Sequence, residues 1–203
     1  MPTLKLIKEA LSTHSPKTLE IEARRAAVAM ILRKGKVEVE MLMIRRAEHD
    51  GDPWSGDLGF PGGKIDFEDK TARSAAERET HEEIGLQLIE DSFLGQLSDI
   101  SGAYIPVNIA CFVYQLTESA NFKLNPEITR YWWIPLSRFL EPARHRHVTF
   151  TYRNERRARP VIDLVEPEYP FLWGITYRMV EQFFDLMNKP LPVPEQQTDN
   201  QNV

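Results

Sequence analysis

Gly62-Gly63-Lys64, and after a spacer Arg78-Glu79-Thr80-His81-Glu82-Glu83-Ile84-Gly85-Leu86, set a glycine loop directly before a segment built to be a helix. From Thr71 to Ile84 the chain is rich in Ala, Glu and Arg, which favour helix, and Gly85 stands where a left-handed cap ends one. On that helix Glu79, Glu82 and Glu83 occupy positions i, i+3 and i+4, so three carboxylates project from one face within a turn. Carboxylates this close repel one another unless a cation lies among them, and a hard divalent ion, Mg²⁺ or Mn²⁺, suits oxygen ligands of this kind. Arg78, beside Glu79 and one turn before Glu82, is placed to hold a ligand in one rotamer. An acidic helix face alone is often only solvated surface. Its combination with Gly62 and Gly63, which let the backbone approach a phosphate or offer a carbonyl to an ion, is what points to a site.

Working outward, Asp50 to Gly63 is dense in glycine and proline and reads as a loop of fixed, unusual shape. Before it, the apolar run Arg25 to Leu32 and the alternating Val37 to Ile44 flank Gly35 as two strands joined by a tight turn. After the helix, strands are expected at Phe93 to Ile100, Val107 to Leu116 and Arg130 to Ile134, the middle one nearly all apolar and therefore central. Val148 to Tyr152 and Val161 to Val165 are expected to pair. Leu4 to Leu11 reads as a short amphipathic helix, and Ile175 to Met187 as a final one with Ile175, Met179, Val180, Phe183, Phe184 and Met187 on one stripe. The order implies an α+β fold, a mixed sheet in an α/β/α sandwich. The expected division is 1–20 as helix and linker, 21–189 as the domain, and 190–203 as a disordered tail, since Glu195 to Asn202 is almost wholly polar.

A length of 203 residues with 42% hydrophobic content suits one core. The formal charge of −5 argues against nucleic acid as a general partner, which needs clustered Lys and Arg. Cys111 is the only cysteine, so neither a disulfide framework nor a thiolate zinc cage can form, and a cytoplasmic location is expected. Met1 to Leu19 lacks the apolar run of a signal peptide, and no segment has the apolar length of a membrane span.

Arg78-Glu79, Glu82-Glu83, Gly85 and Leu86 resemble, in order and spacing, the helical half of the Nudix box. Gly63 stands one residue further upstream than the strict pattern, Thr80 replaces an aliphatic residue, and the early acidic position falls on Glu68 or Asp69. Outside the box, Ile44-Arg45-Arg46-Ala47, Gly51-Asp52-Pro53-Trp54-Ser55-Gly56, Phe60-Pro61-Gly62-Gly63 and Trp173-Gly174-Ile175-Thr176 resemble the subgroup containing coenzyme A diphosphatases, with Trp54 near where that subgroup carries a His. The resemblance implies a Nudix-type sandwich and a hydrolase that cuts the diphosphate of a nucleotide-derived small molecule. It implies Glu79, Glu82, Glu83 and the Gly63 carbonyl as ligands of Mg²⁺ or Mn²⁺, with Arg78 in support. Coenzyme A, ADP-ribose and dinucleotides all remain open as substrates, and so does a non-catalytic nucleotide-sensing role. A homodimer is compatible with the apolar N-terminal helix and the Trp-rich segments.

The general base is Glu82 or a carboxylate from another loop, for which Glu127 is the candidate against an ordinary turn residue. Gly62, Lys64 and Arg46 are the candidate substrate contacts, Lys64 being equally readable as a surface residue. His81-Glu82-Glu83 is not a zincin, because Gly85 stands where the second His is required, and Lys64-Ile65 rules out a P-loop. The basic stretch Arg144-His145-Arg146-His147 with Arg153 to Arg159 reads as a solvated hairpin face, a reader of an extra phosphate, or an RNA contact. Trp132, Trp133, Phe171, Trp173, Phe183 and Phe184 are core or a base-stacking platform.

Overall fold

The computed structural model describes residues 1–19, 24–52, 54–102, 106–118, 120–152, 155–167 and 169–194. Pro53, Arg153 and the polar stretch Glu195 to Asn202 lie outside the described residues. The elements are α1 (Leu4–Thr13), β1 (Arg24–Lys34), β2 (Val39–Arg46), β3 (Leu58–Gly59), β4 (Gly62–Lys64), α2 (Ala72–Ile84), β5 (Phe93–Gln96), β6 (Ile100–Ser101), β7 (Val107–Leu116), β8 (Ile128–Pro135), β9 (His145–Tyr152), β10 (Glu155–Ile162) and α3 (Gly174–Asp185). β3, β2, β1, β7 and β5 lie in that order in one sheet, with β4 also on β1, β6 on β7 and β8 on β2. β1 and β7 run parallel from Arg24↔Val107 to Arg33↔Leu116, and the other pairs are antiparallel. β9 and β10 form a separate hairpin.

Period-two alternation sorts the strands into two cores. Ala27, Ala29 and Ile31 of β1, with Leu42, Ile44, Ala110, Phe112 and Tyr114, pack against Ala75, Ala76 and Ile84 of α2. Met30 and Leu32, with Met41, Met43, Ile109 and Val113, face the other way onto Ile7 and Leu11 of α1 and Met179, Val180, Phe183 and Phe184 of α3. The small side chains of β1 and α2 let helix and sheet approach closely, which sets α2 beside β4. The fold is therefore the α/β/α sandwich with a mixed sheet that the sequence leads one to expect. Tyr177 joins the expected stripe of α3 as a buried residue.

Three expectations are corrected. Phe93 to Ile100 is two strands, because the register shifts at Gly95 (φ 153°) and the next residues turn outward to bind other elements. Ser98 bonds Gln182 of α3, and Asp99 bonds the chain at Lys17 and Leu19. β9 pairs with Glu155–Ile162 rather than Val161 to Val165. The pairing ends at Ile162, which also bridges to Leu172, and Asp163 is tied to Arg144 and Arg146 through its N–H, backbone oxygen and carboxylate. The glycine loop holds two short strands, β3 and β4. No helix among the described residues is long and apolar enough to cross a membrane.

Candidate active site

The site is built where α2 crosses β4. Thr71 caps the helix, its hydroxyl accepting from Ser74 N–H while the Ser74 hydroxyl oxygen accepts from Thr71 N–H, and Gly85 (φ 70°) closes it with an N–H donated to His81 O. Fixed at both ends, the helix turns Ala75, Ala76, Thr80, Glu83 and Ile84 inward. Thr80 can stand on the buried face because its hydroxyl donates to Ala76 O at 2.7 Å.

The three glutamates are not equivalent. Glu83 is only 1% exposed. Its Oε2 accepts Gly62 N–H at 2.8 Å and its Oε1 accepts from Arg46 at 3.4 Å. Gly62 is required there: its φ is +147°, and a Cβ would stand 2.3 Å from Ala27 O. Glu79 lies against Gly63, whose notional Cβ would meet its carboxylate at 2.5 to 2.7 Å. Glu82 is half exposed. Arg78 donates from Nη1 to Glu79 at 3.0 Å and to Glu82 at 3.1 Å, and grips Asp69 through Nε and Nη2 at 3.1 and 2.9 Å. Asp69, not the exposed Glu68, is thus the acidic residue that anchors the box arginine.

Two further loops close on the helix. Lys123 N–H and Asn125 N–H donate to Ile84 O and Glu83 O at 2.9 Å each, and Ala47 N–H donates to Glu127 O at 2.6 Å. This clamps Glu127 beside the end of α2, near enough for its charge to act on Glu79 and Glu83. Arg46, at the end of β2, also donates to Asp52 at 3.2 Å, so it ties the glycine loop to Glu83 instead of standing open toward solvent. Lys64 projects into solvent 3.9 Å from Asp66, while its backbone oxygen accepts from Arg78. Trp54 packs against the core on the α3 side of the sheet.

Sequence reasoning treats the glutamates alike and misses Asp52 and Asp57. Asp57 accepts from the Trp173 indole N–H at 3.0 Å, and its pKa is raised by burial despite that bond. Their only signal is their place in a loop dense in glycine. Of the aromatic candidates, Phe183 and Phe184 are core, Trp132 meets Tyr169 edge-on, and Trp133 lies under Arg33.

Burial pushes the Glu83 carboxyl up to about 8; Gly62 N–H and Arg46 pull it back, and Glu79 and Glu127 push it further. Burial likewise raises Glu79, and Arg78 opposes. Among the described residues no three carboxylate, His or Cys side chains form a preformed ion cage, since Arg78 holds two of the glutamates and Gly62 the third. The donor set nevertheless fits a hard divalent cation. It consists of oxygen atoms, and at its centre is a buried carboxylate within the field of Glu79 and Glu127.

The NUDIX domain family matches residues 23–153. The uncharacterized protein C14C4.10c of Schizosaccharomyces pombe is 32% identical over 110 residues, covering 50% of this chain but only 33% of its own length. The uncharacterized Nudix hydrolase NudL of Photorhabdus laumondii is 28% identical over 171 residues, 82% of this chain and 87% of the relative. A MutT/nudix family protein from Enterococcus faecalis is similar in fold, with a TM-score of 0.58 over 93% of this chain and 70% of that one, at 14% identity.

Proposed function

The chain belongs to the NUDIX family of hydrolases, and we propose that it is a divalent-metal-dependent diphosphatase of nucleoside diphosphate derivatives, with coenzyme A the first substrate to try. The observation that carries this reading is Glu83, a buried carboxylate held by Gly62 N–H within the field of Glu79 and Glu127. Glu79, Glu82, Glu83 and the Gly63 carbonyl would hold Mg²⁺ or Mn²⁺. Such an ion supplies charge neutralisation at the phosphate oxygens and a more acidic bound water.

The chain's own residues do the rest. Gly62 and Gly63 let β4 lie closer to β1 and to the Glu79 carboxylate than any side chain would allow. Arg78 keeps Glu79 and Glu82 in place through its anchor on Asp69. Glu82, half exposed at the mouth of the site, takes the proton of the attacking water, and Glu127 is the alternative base from the facing loop. The substrate contact first given to Arg46 is made less direct by its two ion pairs. A cytoplasmic setting belongs to the same proposal and rests on Cys111 being unpaired and buried. For oligomeric state the proposal stays with the compatibility of a homodimer.

The test is hydrolysis by purified protein with Mg²⁺ or Mn²⁺ of coenzyme A, ADP-ribose, NADH, diadenosine polyphosphates and nucleoside triphosphates, with products identified by mass. Cleavage at a diphosphate, lost by at least about a hundredfold in folded Glu82→Gln, is expected. Near-normal turnover by that variant would remove Glu82 from the chemistry, and silence of the wild type across the panel would favour a non-catalytic nucleotide-binding role.

A further inference from the structure

Trp173, at the N-terminal end of α3, is a fixed post beside the glycine loop. Leu172 exchanges two backbone hydrogen bonds with Ile162, at 2.9 Å each, and Trp173 O accepts the Tyr177 N–H at 3.2 Å. The indole stacks on Phe150 at 4.3 Å with the rings 13° apart. Backbone and ring are thus both held, and the one polar group the indole offers is a donor. It donates to the Asp57 carboxylate at 3.0 Å.

Asp57 carries that fixed point to the candidate site. Its backbone oxygen accepts the Arg46 N–H at 3.0 Å, just before the chain enters β3 beside Arg45. The Arg46 guanidinium reaches Asp52 at 3.2 Å and Glu83 at 3.4 Å, and the other Glu83 oxygen accepts the Gly62 N–H. Asp52 and Arg46 lie near enough for their charges to act on the Asp57 carboxylate. Between Arg46 and Asp57 the chain turns through Gly51 and Gly56 at φ +85° and +73°. Asp57 also borders a cavity of about 600 Å³ shared with Tyr169 and Pro170, so on that side the loop is held by the bond to Trp173.

We propose that Asp57 is a positioning residue for the hydrolysis: hung from the Trp173 indole, it fixes Arg46 and, through Arg46, the Glu83 carboxylate. The assignment rests on the diphosphatase reading above. Groups that orient a metal ligand from behind act on metal affinity and turnover together, because both need the ligand in one place.

Three variants separate the bond from the charge. Trp173→Phe keeps a ring on Phe150 and removes the donor, Asp57→Ala removes the acceptor, and Asp57→Asn keeps an acceptor without the charge. In folded protein the first two should each weaken Mn²⁺ binding, followed by electron paramagnetic resonance, and lower kcat, both by about tenfold, with KM within about twofold. Together they should lose no more than either alone. Asp57→Asn should recover most of both losses. A purely structural role would lower the urea midpoint and leave Mn²⁺ affinity and kcat of the folded variants unchanged, which overturns the assignment. Asp57→Asn as impaired as Asp57→Ala overturns it too.

Amide hydrogen exchange needs neither metal nor substrate. In Trp173→Phe the N–H groups of Arg46 and Gly62 should exchange about tenfold faster while those of the β1–β7 ladder keep their wild-type rates. Unchanged exchange at Gly62 refutes the link to Glu83. If wild type cleaves no diphosphate, the diphosphatase reading fails on its own, and the exchange at Gly62 decides whether Trp173 and Asp57 hold Glu83.

Discussion

Arg46 carries two ion pairs that a reader of the sequence has no means of assigning. One reaches Asp52 in the glycine loop and the other Glu83 on α2, so a single guanidinium sets the distance between loop and helix. A lysine keeps the charge but cannot span both carboxylates with fixed geometry. Arg46→Lys is therefore expected to lower kcat by about ten- to a hundredfold, the usual cost of losing support behind a metal ligand, and to weaken Mn²⁺ binding in parallel. Steady-state kinetics with an Mn²⁺ titration followed by electron paramagnetic resonance would check it. Unchanged Mn²⁺ affinity with a raised KM would return Arg46 to direct substrate contact.

At the scale of elements, α2 is legible in the sequence because its signals are local: the Ala-Glu-Arg composition, Thr71 before it and Gly85 after it. Its rotation is not. Glu82 and Glu83 are neighbours in the chain, yet one is half exposed and the other buried, and only the approach of α2 to β1 and β4 decides which. The box spacing likewise leaves Glu68 and Asp69 equal until Arg78 is seen to grip Asp69. The hairpin is visible as basic and apolar alternation, but its register, Glu155↔Tyr152 to Ile162↔His145, is not. The same hairpin starts at His145, 7% exposed, whose Nε2 donates to Phe139 O at 2.8 Å while Nδ1 is buried without a hydrogen-bond partner among the described residues. Burial lowers its pKa, and the Phe139 carbonyl only partly opposes this. With the folded value below the unfolded one, the unfolded chain binds more protons just below about pH 6.5, so stability is full above that value and falls as pH drops through the folded value. Between about pH 7.5 and about pH 5.5 the urea midpoint of wild type should decline more than that of His145→Gln, which keeps a donor for Phe139 O but does not ionise. Because Glu83 is shifted upward, its contribution runs the opposite way, but equally in both proteins, so the difference isolates His145. Parallel slopes would show that its ring is solvated in solution.

Among the described residues of the whole molecule, the strands divide their buried side chains between two cores, and the two sides do different work. Ile7 and Leu11 of α1 are buried with α3 in the larger core, so the N-terminal helix is packed as part of the body rather than appended to it. The α2 side carries the candidate site, and there the fold has buried the Glu83 carboxyl, which raises its pKa. A bound divalent ion should then act on the stability of the entire chain, because it binds the folded state and the unfolded chain has no assembled site. At a hundred times its dissociation constant an ion adds about 2.7 kcal/mol. For a chain of this size that corresponds to a rise in Tm of roughly 5–10 °C. Thermal unfolding in Mn²⁺ against chelator should show this rise in wild type and lose most of it in Glu83→Gln, which retains an acceptor for Gly62 N–H but removes the central charge. The same rise in both proteins would mean that the ion is held elsewhere. No rise in wild type at millimolar Mn²⁺ would mean that the glutamates bind the ion only together with substrate, in which case adding a non-hydrolysable nucleotide should restore the rise in wild type and not in the variant.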